Sequence, residues 1–124
     1  MSKVKRKLTT ILATDCVGFS KRMDENEELT LENLKACRSI IDPQIKEFGG
    51  RIFYTAGDSV IAEFESPVEC VNAAIGFQKA INDRNNTLSE ESQLDWRVGI
   101  HLDDVIIEGD NVYGLSLIHI SEPT

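Results

Sequence analysis

Two periods of apolar residues alternate along the chain, and the switches between them mark its elements. Leu8 to Thr14 (LTTILAT) is short and rich in β-branched residues, which predicts a buried strand ending at Asp15. Gly18 then permits a tight turn, and Ser20 is placed to cap a following helix. From about Glu27 to Phe48 the apolar residues Leu34, Cys37, Ile41, Ile45 and Phe48 recur every three or four positions, one face of an amphipathic helix. Pro43 lies inside that pattern and predicts a kink or a break, and Gly49-Gly50 closes the helix.

Arg51 to Thr55 and Ser59 to Phe64 read as two strands joined by a hairpin turn at Ala56-Gly57-Asp58. Ser66-Pro67-Val68-Glu69 is a helix start, with serine at the cap, proline at the first helical position and glutamate placed to complete a capping box. Val71, Ala74, Ile75 and Ile81 continue this helix to Asn85-Asn86, and Ser89 to Gln93 is a polar loop. Trp96 to Leu102 and Val105 to Glu108 read as a second hairpin turning at Asp103-Asp104. Gly109-Asp110-Asn111 is a further turn into Val112-Tyr113-Gly114. The order is strand, helix, two strands, helix, two strands. It predicts an α+β, ferredoxin-like sandwich with helices on one face of a largely antiparallel sheet.

With 124 residues, of which 41% are hydrophobic and 27% charged, the chain has room for one globular domain and not two. The net charge of -8 is uneven. Lys3, Lys5, Arg6 and Lys7 make residues 1–6 and their neighbour a basic tail, whereas the remaining 117 residues hold nine basic against 21 acidic side chains. So acidic a surface argues against nucleic-acid or anionic-membrane partners. Cys16, Cys37 and Cys70 are widely spaced in apolar surroundings and match neither a zinc pattern nor a disulfide framework, which fits small core residues in a reducing cytoplasm. No apolar run has the length of a membrane span.

Two carboxylates stand apart from the acidic surface. Asp15 directly follows an apolar strand, and Asp58 sits at a hairpin tip, so neighbouring strands would bring both to one edge of the sheet. Carboxylates that close repel each other, and divalent cations relieve the repulsion. Magnesium suits an all-oxygen site completed by phosphates, and a cation pair can activate an attacking oxygen. Gly18-Phe19-Ser20 opens a helix whose free N–H groups could cradle a phosphate. Aspartates in turns also commonly satisfy backbone donors, and that reading stands beside the metal one for each residue taken singly.

The segments ILATDCVGFS and FYTAGDSVIAEF resemble the two metal motifs of class III adenylate and guanylate cyclases, and RVGIH followed by GDNVYG resembles the approach to their later catalytic residues. The resemblance covers residues 7 to 114 in the family's order. It implies that Asp15 and Asp58 are catalytic and bind two Mg2+ or Mn2+ ions, with the Cys16 carbonyl as a further metal ligand. By the same resemblance Gly18, Phe19 and Ser20 contact the triphosphate, and Gly57, Tyr54 and Asn111 belong to the substrate-binding set. The implied reaction is attack of the ribose 3′-hydroxyl of ATP, with GTP as the alternative, on the α-phosphate, giving a cyclic nucleotide and pyrophosphate. The family builds its sites across a dimer, so the implied partner is a second copy or a second cyclase domain.

The chain also departs from the family. Where many adenylate cyclases carry a lysine and an aspartate to read the base, it has Tyr54 and Asn111. After Gly114 the family's aspartate and V-N-x-x-x-R helix are replaced by LSLIHISEPT, which resembles the translation of a sequencing-library adaptor. Residues 7–114 are therefore expected to form a partial, inactive cyclase domain with residues 115–124 an artefactual tail. The alternative is a degenerate cyclase-like module that binds nucleotide for regulation. His101 and His119 are assigned no chemical role.

Overall fold

The computed structural model describes residues 5–108 and 111–114, the side chains among them from Lys7 to Asp104. The expected turn at Gly109-Asp110, His119 and the expected tail at 115–124 lie outside the described residues. The predicted first strand is longer than its apolar stretch: β1 runs from Lys5 to Cys16. Two helices follow, α1 (Phe19–Glu25) and α2 (Glu27–Glu47). The hairpin strands are β2 (Arg51–Ala56) and β3 (Ser59–Phe64), followed by α3 (Pro67–Asn85), a 3-10 turn at Glu90–Ser92, β4 (Trp96–Glu108) and β5 (Asn111–Gly114). The sheet order is β2-β3-β1-β4-β5 with every neighbouring pair antiparallel. This is the predicted α+β architecture.

The core lies between the sheet and the two long helices. Leu12 and Cys16 of β1, with Val60, Ala62 and Phe64 of β3, meet Cys37, Ile41 and Ile45 of α2 and Cys70, Ala73, Phe77 and Ile81 of α3. Because side chains alternate along a strand, Asp15 projects to the opposite face, away from these helices. Gly50 makes the corner after α2 possible, since a Cβ there would fall 2.5 Å from the Phe64 ring. Gly49 has φ 82, and the amides of Gly49 and Gly50 return to the carbonyls of Lys46 and Ile45, ending the helix as predicted.

Four local expectations are corrected. No break occurs at Pro43, which lies inside the continuous α2; the chain breaks at Asn26, which is extended (φ -161) and whose side chain accepts from the Leu29 amide to cap α2. Pro43 removes one helical donor on the exposed side, while buried Ile41 and Ile45 hold α2 to the core on either side of it. Ser20 caps nothing. It is the second residue of α1, whose cap position is Gly18 in the left-handed region (φ 66). Ser66 accepts from the Glu69 amide at 3.2 Å, but the Glu69 carboxylate accepts from Asn72, so half of the capping box forms.

The fourth correction concerns Asp103-Asp104, where no turn occurs. β4 continues through both, paired with Thr9 and Leu8 of the long β1, and Asp103 is buried with its carboxylate accepting from the Asp104 amide at 2.9 Å. The pair contains no glycine to supply a positive φ, and the β1 ladder continues past it.

One apolar surface is left uncovered among the described residues. Gln78 of α3 donates to the Trp96 carbonyl, which places the stripe Val68, Val71 and Ile75 alongside β4. Ile100 and Leu102 share the helix-side face with Leu12 and Thr10, their cross-strand partners, and all five of these apolar residues are exposed.

The cysteines behave as core residues. All three are free and buried, and burial pushes the Cys70 thiol up to about 11 from its ordinary 9.0. The folded state thus keeps that proton where the unfolded chain has lost it. Stability is expected to be full below pH 9 and to fall as pH rises from about 9 through 11. Urea midpoints measured across this window should show the decline, and Cys70→Ala should flatten part of it.

Candidate active site

The geometry at the end of β1 follows from unequal strand lengths. β3 pairs with β1 only as far as Thr14↔Val60, whereas β4 accompanies it to Cys16↔Trp96. On the β3 side, the Cys16 amide therefore has no main-chain acceptor. Asp58 supplies one: its Oδ2 accepts from the Cys16 N–H at 2.8 Å. The hairpin that carries it is a two-residue loop with Gly57 first at φ 57, a conformation that glycine adopts without strain. The two aspartates singled out in the sequence thus lie at one edge of the sheet, separated by a single amide.

Asp15 is engaged from the other side. Arg97 is its cross-strand partner on β4, and the guanidinium donates from Nε to Oδ1 at 2.9 Å and from Nη2 to Oδ2 at 3.1 Å. Its own pKa is raised, first by the hydrogen bond to Asp15 and then by the charges of Asp15 and Asp58. Sequence reading missed Arg97. The signal was present as an arginine opening the RVGIH strand, but only the β1–β4 register shows that it faces Asp15.

Cys16 lies between the two carboxylates with its side chain turned into the core. Burial and then the charge of Asp58 push its thiol up to about 12, so it stays protonated and is a poor ligand. Only the main-chain carbonyl of Cys16 is left to serve a cation. Directly after it, Val17 continues the β4 side by donating to the Asp95 carbonyl at 2.8 Å. Gly18 and Ser20 are exposed, and Phe19 packs partly buried against the core.

Tyr54 stands in the row Tyr54–Ile61–Ala13 across the sheet, on the same face as Asp15, and is half exposed while Ile61 and Ala13 are buried. Asn111 is not brought to this edge. It pairs with Glu108, eleven residues along β4 from Arg97, or about 35 Å for an extended strand. His101, opposite Ile11, is exposed on that face as well.

The donor set fits a hard divalent cation. It offers two carboxylates and a carbonyl, all oxygen, with Asp58 fixed by the Cys16 amide. No group of three or more His, Cys, Asp or Glu side chains that could hold a metal occurs among the described residues.

No family model matches the chain. It is 35% identical over 112 residues to a protein of Rhizobium meliloti (strain 1021) named "Putative adenylate cyclase 3", and 30% identical over 114 residues to the serine/threonine-protein kinase pkn2 of Myxococcus xanthus. These alignments take in 90% and 91% of the chain but only 19% and 14% of those proteins. Among solved structures, an adenylate/guanylate cyclase/hydrolase from Silicibacter pomeroyi superposes with a TM-score of 0.84 at 30% identity, over 95% of this chain and 69% of that one. The adenylyl cyclase CyaB from P. aeruginosa superposes with a TM-score of 0.78 at 21% identity, over 96% of this chain and 71% of that one, a likeness of fold.

Proposed function

Since the chain belongs to the adenylate/guanylate cyclase family, we propose that it is the metal-binding part of a domain converting ATP, with GTP as the alternative, to a 3′,5′-cyclic nucleotide and pyrophosphate. The observation that carries this reading is the 2.8 Å bond from the Cys16 amide to Asp58, which brings the second motif aspartate to the residue next to the first. Asp15, Asp58 and the Cys16 carbonyl would hold two Mg2+ or Mn2+ ions. Cations so held supply activation of the 3′-hydroxyl and neutralisation of charge at the α-phosphate. The chain's own residues do the positioning. The β1–β4 ladder fixes Asp15, the Gly57 turn presents Asp58, and the Gly18-Phe19-Ser20 segment follows directly after Cys16 and Val17, with Gly18 and Ser20 exposed toward a triphosphate.

Base contact by Tyr54 and Asn111 is part of the same proposal. The 35 Å scale that separates Asn111 from Asp15 along the sheet supports a site built from two copies or two cyclase domains, in which one subunit brings the aspartates and the other brings Asn111. Among the described residues no helix is long and apolar enough to cross a membrane, and we place the domain in the cytoplasm with neither nucleic acid nor membrane as partner.

A second reading, a nucleotide-binding regulatory module without turnover, is favoured by one observation: Arg97 engages both oxygens of Asp15. ATP binding that depends on Mn2+, without cyclic product from a domain extended beyond Gly114, would select it.

We also propose that residues 7–114 are an incomplete domain and residues 115–124 foreign to it. The exposure of the apolar residues Val68, Val71 and Ile75 of α3 and Ile100 and Leu102 of β4 supports this, because large exposed apolar surfaces usually have a partner. The chain is expected to bind a hydrophobic dye and to self-associate at micromolar concentration. Both should diminish when the natural continuation is added. Dye fluorescence and sedimentation would check this; a monomeric chain that binds no dye would contradict it.

A further inference from the structure

Without a metal, both carboxylates at this strand end need a partner for their charge. Each has a different one. Asp58 accepts from a backbone amide, while Asp15 is held by a two-pronged guanidinium. This second contact is built into the sheet, because Arg97 and Asp15 are register partners in a twelve-residue ladder. Asp15 retains 20% of its side-chain exposure and Arg97 48%, so the pair remains open to exchange with solvent.

A cation arriving at Asp15 meets both oxygens already committed and a positive charge within 3.1 Å. We propose that Arg97 is an internal counter-ion that competes with the divalent cation for Asp15, so that metal loading exchanges one for the other. This rests on the reading of Asp15 as a metal ligand. Arg97 acts through Asp15 and is a positioning residue. Its consequence is that free metal binds weakly until the Arg97 fork is released. The planar fork matters as well as the charge, since lysine cannot hold both oxygens in the same way.

The test uses the full chain without nucleotide, titrated with Mn2+ and followed by the signal of the free ion. Arg97→Gln is expected to bind Mn2+ at least about threefold more tightly than the parent, the scale of a released exposed ion pair. Arg97→Lys should fall between the two, and it carries the test if Arg97→Gln does not fold. Adding Asp15→Asn should abolish the gain. Unchanged or weaker Mn2+ binding by both Arg97 variants, with binding that still depends on Asp15, would overturn the exchange and leave Arg97 as a support for that carboxylate. If the parent and Asp15→Asn/Asp58→Asn bind Mn2+ identically, the metal reading itself fails and the exchange fails with it. A purely structural role predicts looser binding, the opposite direction.

Discussion

Replacing Asp58 by asparagine is expected to leave the fold intact and remove the cation site. The amide oxygen of asparagine can still accept from the Cys16 N–H, so the end of β1 keeps its bond. The melting temperature should stay within about 4 °C of the parent, the shift that about 1 kcal/mol produces in a domain of this size. Mn2+-dependent nucleotide binding should fall about tenfold or more. In a complete domain turnover should fall by about a thousandfold, because several kcal/mol of charge stabilisation is lost. Asp58→Ala separates the two roles. It removes the acceptor as well, and unfolding by denaturant should show an additional loss of about 1–2 kcal/mol for the orphaned amide. Equal losses of stability in both variants would contradict the dual role.

The second large effect follows from the proposal that the domain is incomplete. Incubated with Mn2+ and ATP, the 124-residue chain is expected to release no cyclic AMP above background. The family resemblance implies an asparagine and an arginine beyond Gly114 that stabilise the transition state. Loss of one such donor typically costs about 10²–10³ in rate. A version in which residues 115–124 give way to the genomic continuation should therefore gain activity by at least that factor, with product measured by chromatography. Robust turnover by the chain as it stands would contradict the proposal that the domain is incomplete.

Much of the fold was legible because its signals are local. The β-branched run at Leu8–Thr14, the helical period from Leu34 to Phe48 and the Ser66-Pro67 start each state their own structure within a few residues. Helix ends failed locally, as at Ser20 and Glu69, and the larger failures arose where distant pairing decides. Asp103-Asp104 looks like a turn in isolation, yet the ladder to Leu8 and Thr9 carries β4 through it. Val71 and Ile75 fit the period of α3, but only the position of α3 over the sheet reveals that they stay exposed.

The candidate site divides in the same way. Asp15 and Asp58 were readable from strand ends and a hairpin tip. The amide between them depends on β3 stopping two residues short of β4 along β1, which no motif states. Arg97 required the register, and the separation of Asn111 required the unbroken length of β4.

The central claim is that Asp15 and Asp58 hold the cations of a nucleotide cyclase. Its most direct test is cyclic nucleotide formation by the domain carrying its natural continuation past Gly114, assayed with Mn2+ and either ATP or GTP, beside Asp15→Asn/Asp58→Asn. The account expects cyclic nucleotide and pyrophosphate in equal amounts from the parent and a loss of about a thousandfold or more in the double variant. Equal rates from both proteins, or no cyclic product from a folded and complete parent, would contradict it.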